Sequence, residues 1–136
     1  MKLTVDANIL FSALLKEGVT RKIWFDPQIE LYAPEYLLTE FEKYKPALLK
    51  KFDGSKKEFE SFFEKLVSQV SFLEDNELKP YLPAAASLSK DQKDWLYLAC
   101  ALNQDTGIWS NDKEFKKQNR ITTKTTTELF QEAGLK

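Results

Sequence analysis

KLTVDANIL, Lys2 to Leu10, is a short apolar run that meets an acid and turns helical. Leu3 and Val5 flanking Thr4 fit a strand buried in a sheet, although a run this short does not alone exclude a helix. The strand ends at Asp6. From Ala7 onward, Ile9, Leu10, Ala13 and Leu14 recur at helical spacing, and Gly18 supplies a stop. The order is strand, acidic corner, helix. In an open parallel sheet, groups just beyond the carboxyl ends of strands face the binding crevice, so Asp6 is a candidate site residue.

Working outward, Thr20 to Asp26 (TRKIWFD) reads as a short second helix ended by Pro27, and Glu30 to Ala33 (ELYA) as a brief strand. Pro34 then opens a helix in which Leu37, Leu38, Phe41, Tyr44, Leu48 and Leu49 recur at helical spacing. It should bend at Pro46 and stop near Asp53-Gly54. Ser55 and Glu58 match a capping box, and Phe59, Phe62, Phe63, Leu66 and Val67 continue as an amphipathic stripe, giving a helical hairpin from Pro34 to Gln69. Gln69 to Leu73 reads as a third strand. Asp75 to Ala86, with Pro80 and Pro83, reads as irregular with at most a short helix. Asp91 to Asn103 (DQKDWLYLACALN) is the most persuasive helix, apolar enough after its first turn to be buried on the sheet. Ile108 to Ser110 is the next strand, ending at Asn111-Asp112. Ile121 to Thr123 reads as a last strand and Thr127 to Leu135 as a closing helix. Strands alternating with helices predict an α/β fold: one domain over residues 1–136, with a central, mostly parallel sheet of four to five strands flanked by helices on both sides.

Composition narrows the chemistry. With 136 residues, 43% of them hydrophobic, the chain has material for one real core rather than a disordered segment. Twenty basic and 21 acidic residues leave a net charge of -1, so any nucleic-acid contact must use a local patch. A single cysteine, Cys100, rules out an internal disulfide and a thiolate zinc cluster, and points to the cytosol. No apolar run approaches the roughly 20 residues needed to span a bilayer, and the N-terminus lacks the basic lead-in of a signal peptide, so no membrane association is expected. The absence of histidine removes imidazole bases and ligands together, leaving catalysis to carboxylates.

Four acids fall at comparable places: Asp6 and Asp112 just past strands, Glu40 at the edge of an apolar helical stripe, and Asp94 in the first turn of the buried helix. Each has a plainer reading: Asp6 as a helix cap, Asp94 as a partner of the helix dipole with Asp91 as cap, Glu40 as a solvated residue, Asp112 as a turn residue. Together in one crevice they would repel one another and raise each other's pKa unless a cation offsets the charge. An oxygen-only shell selects Mg²⁺ or Mn²⁺, ions that activate water for attack on a phosphodiester.

At these residues the sequence resembles the PIN domain, a small metal-dependent nuclease domain, over nearly the whole chain. VDANIL resembles the family's first motif, which assigns the opening catalytic aspartate to Asp6 and a supporting role to Asn8. PEYLLTEF resembles the second and assigns its acid to Glu40. DQKDWLYLACALN followed by GIWSNDKEF resembles the third and fourth, with Asp94 and Asp112 as acids, Ser110 as the small hydroxyl residue before the last acid, Asp91 as an alternative acid and Glu114 as an auxiliary carboxylate where relatives often have aspartate. The resemblance implies one or two Mg²⁺ or Mn²⁺ ions and single-stranded RNA as substrate. It also implies a kinship with VapC-like toxins of toxin-antitoxin pairs, which are often homodimers inhibited by a small antitoxin.

Beside Asp112, Lys113, Lys116, Lys117, Arg120 and Lys124 form a basic segment that would grip a phosphate backbone, unless it is simply a solvated loop. Trp95 and Tyr97 offer stacking faces but read more readily as core. The first reading is thus a ribonuclease. The alternative is a catalytically weak PIN-like module that binds RNA or protein, against which the survival of all four acids speaks. A phosphatase forming an aspartyl-phosphate ranks third, since its second acid would stand where this chain has Asn8.

Overall fold

In the computed structural model, which describes residues 1–132, β1 (Lys2–Val5) is the middle strand of a five-stranded sheet. It pairs with β2 (Glu30–Pro34) on one side, Leu3 opposite Leu31, and with β4 (Gly107–Trp109) on the other, Val5 opposite Trp109. The outer strands are β3 (Val70–Leu73) beside β2 and β5 (Thr123–Lys124) beside β4, and every pairing is parallel. The order β3-β2-β1-β4-β5 means that the chain steps one way from β1 to β3, then returns across β1 and steps the other way. Right-handed crossovers therefore place the helices after β1 and after β3 on opposite faces. β1 is covered on both sides, so its Leu3, Thr4 and Val5 are all buried, as a doubly covered parallel strand requires.

The first crossover carries α1 (Ala7–Leu15) and α2 (Val19–Trp24); the second carries α3 (Tyr36–Lys51) and α4 (Lys56–Val67). Leu10, Leu14, Phe41, Phe59 and Leu66 from these helices are fully or almost fully buried. Trp24 joins the two crossovers: its ring lies 5.9 Å from that of Trp109 in β4, and its indole N–H donates to the Leu66 carbonyl at 2.8 Å. The capping box is present as expected, with Ser55 Oγ accepting from the Glu58 N–H and the Glu58 carboxylate accepting from the Ser55 N–H, each at 3.1 Å. α3 runs through Pro46, whose position is exposed, so water can satisfy the carbonyl that proline leaves without a partner.

Segment 75–86 corrects the expectation of irregular chain. It is helical almost throughout: α5 (Asp75–Leu78), a 3-10 turn at Lys79–Tyr81, and α6 (Leu82–Leu88). Pro80 and Pro83 do not break it, because each stands in a first turn where an N–H has no intrahelical acceptor. α5 and α6 pack on α7 (Gln92–Gln104), which lies against β1, β2 and β4 and buries Leu98, Ala99 and Cys100. Gly107 earns its place by close approach rather than by a turn, since a Cβ there would sit 3.0 Å from the Thr122 carbonyl oxygen.

The last strand is Thr123–Lys124, slightly later than the apolar Ile121 suggested; Ile121 is instead buried at the approach to it. A 3-10 turn at Lys113–Lys117 precedes it, and α8 (Thr126–Glu132) follows, packed on α2. The expected extension of that closing helix over residues 133–135 lies outside the described residues. Among the described residues, no helix is long and apolar enough to cross a membrane.

Candidate active site

The strand order reverses at β1, so the carboxyl ends of β1 and β4 flank the crevice where open α/β sheets bind ligands. Asp6 leaves β1 there and is only 7% exposed. It is the N-cap of α1, accepting from the Asn8 N–H at 3.4 Å, and its second carboxylate oxygen accepts from Ser110 Oγ at 2.7 Å. Ser110 follows β4 directly and is fully buried; its oxygen also accepts from the Asp112 N–H at 3.0 Å. One hydroxyl thus joins the ends of both strands. Asp112 is exposed and caps the following turn by accepting from the Glu114 N–H at 2.9 Å.

The helices supply the other acids. Glu40, on α3, is half-buried and accepts a hydrogen bond from the hydroxyl of Tyr97, a residue of α7 whose ring is 2% exposed. Asp94, in the first turn of α7, accepts from Ser89 Oγ at 2.9 Å, while Asp91 caps the helix by accepting from the Lys93 N–H at 3.0 Å. The capping readings of Asp6 and Asp91 are therefore correct, and they coexist with the site: both residues cap a helix and both line the cleft.

Asp6, Glu40, Asp94 and Asp112, with Asn8 and Asp91, line a single cleft of about 460 Å³. Their charges sense one another. Burial pushes the Asp6 carboxyl above its ordinary pKa, against the lowering effect of the Ser110 and Asn8 hydrogen bonds, and the charges of Glu40 and Asp112 push the same way. Asp94 is raised as well, first by burial, then by Asp91, Asp112 and Asp6, with Ser89 opposing. Burial and the Glu40 carboxylate raise Tyr97, whose hydroxyl stays protonated and available as a donor. Among the described residues, however, no three carboxylates are already drawn together into a closed ligand set. Asp6, Glu40 and Asp94 are each held by a separate hydroxyl. An oxygen-only donor set in which burial and like charge raise two carboxyls nonetheless suits a hard divalent cation.

The remaining expected residues separate. The Asn8 side chain is exposed and lines the cleft, but the contact it makes to Asp6 is through its backbone N–H. Glu114 does not line the cleft; its carboxylate pairs with Lys117 at 2.9 Å. The basic segment is largely neutralised: besides Lys117, Lys116 pairs with Glu128 and Lys124 with Glu132, both at 2.5 Å. Arg120 stands with Asp105, Thr106 and Gly107 at the amino end of β4, the opposite end of the sheet from Asp6. Lys113, next to Asp112, makes no ion pair among the described residues. The five cations expected between 113 and 124 are therefore not one continuous strip: Lys116 and Lys124 pair with α8, Lys117 pairs within its own turn, and Arg120 stands at the other end of the sheet.

The cations that do line the cleft are Lys93 and Lys51, neither of which is among the residues expected from the sequence. Ser89 and the positioning role of Tyr97 were also missed. Ser89, two residues before a helix cap, carried a weak local signal; the pairing of Tyr97 with Glu40 spans 57 residues and carried none.

Comparison with known proteins agrees with the fold. The profile of the family described as PIN domain matches residues 4–133. The fold is similar to a crystal structure of VapBC2 from Rickettsia felis bound to a DNA fragment from their promoter, with a TM-score of 0.70 and 13% sequence identity over 92% of this chain and 98% of that one. No curated protein matches the sequence significantly.

Proposed function

Because the chain belongs to the PIN domain family, a family of nucleases, we propose that it is a divalent-metal-dependent endoribonuclease that hydrolyses phosphodiester bonds in single-stranded RNA. The observation that carries this reading is the placement of Asp6, Glu40, Asp94 and Asp112 around one cleft at the point where the strand order reverses. These four carboxylates would hold one or two Mg²⁺ or Mn²⁺ ions. Such an ion, when bound, lowers the pKa of a water and offsets charge on the leaving oxygen.

The chain's own residues do the positioning. Ser110 orients Asp6 and ties it to the Asp112 backbone, Tyr97 orients Glu40, and Ser89 orients Asp94. Asn8 and Asp91 present polar groups at the rim, and Lys93 and Lys51 are cations on the cleft wall available to a phosphate backbone. Lys113, which follows Asp112 in the chain, is a further candidate for that contact.

A role as the toxin of a toxin-antitoxin pair, working in the cytoplasm and inhibited by a small antitoxin protein, is part of the same proposal; its support is the likeness of the fold to a VapBC2 structure. One rival is a PIN-like module that binds RNA or protein with little catalysis. Incubation of the purified protein with labelled single-stranded RNA distinguishes them. Cleavage is expected with Mn²⁺ or Mg²⁺, and none after chelation or in Asp6→Asn and Asp94→Asn. Cleavage that survives the chelator would falsify the metal mechanism, and calorimetry showing no Mn²⁺ binding at millimolar concentration would favour the binding module.

A further inference from the structure

We propose that the cleft continues past the carboxylates into a subsite that stacks one unpaired nucleobase on Tyr44 and holds the adjoining phosphate on Lys51. The proposal rests on reading the cleft as one that takes single-stranded RNA. Glu40, Tyr44, Ala47, Leu48 and Lys51 follow one another at helical spacing along one face of α3, and Asn8, Phe11 and Leu15 do so along α1. All of them line the same cleft as the acids. The groove between the two helices is therefore graded: acidic at Glu40, apolar in the middle, cationic at Lys51. From Glu40 to Lys51 the helix rises about 16 Å, enough for more than one nucleotide at ~3.4 Å per stacked step.

Tyr44 is the informative residue. It is 42% exposed, one of few large apolar side chains left in solvent among the described residues, yet it stands one turn from Glu40. Its ring packs against Phe11, with centroids 5.6 Å apart and planes at 58°, so the ring is braced rather than loose. Lys43 Nζ lies over the Tyr44 ring, 5.5 Å from its centroid, so an incoming base would displace this flexible ammonium from the ring face towards its own phosphate. A side chain from a protein partner would need only the apolar floor of Phe11, Leu15 and Leu48. A braced, exposed ring flanked by ammonium groups instead fits a flat base on an anionic backbone.

The test measures binding of fluorescein-labelled oligouridine of about ten nucleotides by anisotropy. It is run on the full chain in EDTA, and again with Mn²⁺ in an Asp6→Asn background. A companion set of strands carries a single abasic residue at successive positions. Tyr44→Ala is expected to weaken binding roughly 5- to 100-fold, and Tyr44→Phe to stay within about twofold of the parent. One abasic position should cause a matching loss in the parent and no further loss in Tyr44→Ala. Lys51→Gln should lower the slope of log affinity against log salt by about 0.7. Equal affinities for the parent and Tyr44→Ala, fully additive abasic losses, or no binding by the parent overturn the subsite and leave the groove to a protein side chain. Cleavage of the same strands with Mn²⁺ separates the two readings. A parent that cleaves without any dependence on Tyr44 sinks the subsite alone, whereas Tyr44-dependent binding with no Mn²⁺ binding by calorimetry sinks the nuclease reading and leaves the subsite standing.

Discussion

Asp6 is poised between two demands. As a cap and a hydrogen-bond acceptor it serves α1 and Ser110, but burial holds its carboxyl above the ordinary value, so its ionised form strains the fold. The sign follows from linkage: a carboxyl whose folded pKa is raised destabilises the fold progressively as pH climbs from its unfolded value through its folded one. Asp6→Asn is therefore expected to raise the metal-free melting temperature at pH 7, with the gain shrinking as pH approaches 4, while cleavage is abolished. Melts of both proteins across that range check it; a lower melting temperature for the variant at pH 7 would refute the strain. Tyr97 makes the complementary case. Its hydroxyl touches Glu40 from a ring buried on α7, so Tyr97→Phe should leave the fold nearly intact and weaken Mn²⁺ binding about 10- to 100-fold, as loss of a ligand-orienting partner does. Calorimetric titration with Mn²⁺ reads this without any assay of activity. Asp6 was visible in the sequence because a strand, an acid and a helix follow one another within nine residues. Tyr97 was not, because a hydrogen bond to a residue 57 positions away leaves no local pattern.

Elements were most legible where local chemistry sets their ends. Ser55 and Glu58 announce α4, and the box closes as written, with its hydrogen bonds holding the Glu58 carboxyl below its ordinary pKa. Ser55→Ala should cost about 1 kcal/mol of stability, measured by urea unfolding, because one first-turn N–H loses its acceptor. The site should not notice. Segment 75–88 shows the limit of the same logic. Proline in the sequence reads as a breaker, yet Pro80 and Pro83 each occupy a first turn, and the apolar residues Leu78 and Ala85 bury this segment against α7. Tertiary packing, rather than propensity, makes the short helices there. Similarly, the basic run from 113 to 124 reads in one dimension as a free cationic strip, but α8 returns beside it and offers Glu128 and Glu132 as partners.

For the whole molecule, the cation proposal makes a thermodynamic demand. Mn²⁺ at about 100 times its dissociation constant should add roughly 2.7 kcal/mol, a rise in melting temperature on the order of 10 °C. The rise should disappear in Asp6→Asn, which differential scanning calorimetry reads directly. Acid tolerance tests the closing helix. Lys116, then the Thr125 N–H, hold Glu128 down to about 2 from its ordinary 4.5, so its contribution is fully present above 4.5 and is lost as pH falls through about 2. Glu128→Gln should therefore differ from the parent most above pH 4.5 and converge with it in strong acid. The sequence by itself determined the α/β class, the five strand positions to within a few residues and the four acids, because strand runs, helical spacing and caps are local properties that short-range sterics and burial impose. Only the tertiary structure decided that β1 lies between β2 and β4, that the acids share one cleft with Lys51, Lys93 and Tyr44, and that most of the expected basic rim is ion-paired. Strand order and side-chain neighbourhood depend on how crossovers pack the whole chain, and distant residues meet only when the shared core closes between them. KLTVDANIL placed an acid at a strand's end; the packing of α3 and α7 around that end set Glu40 and Asp94 beside it.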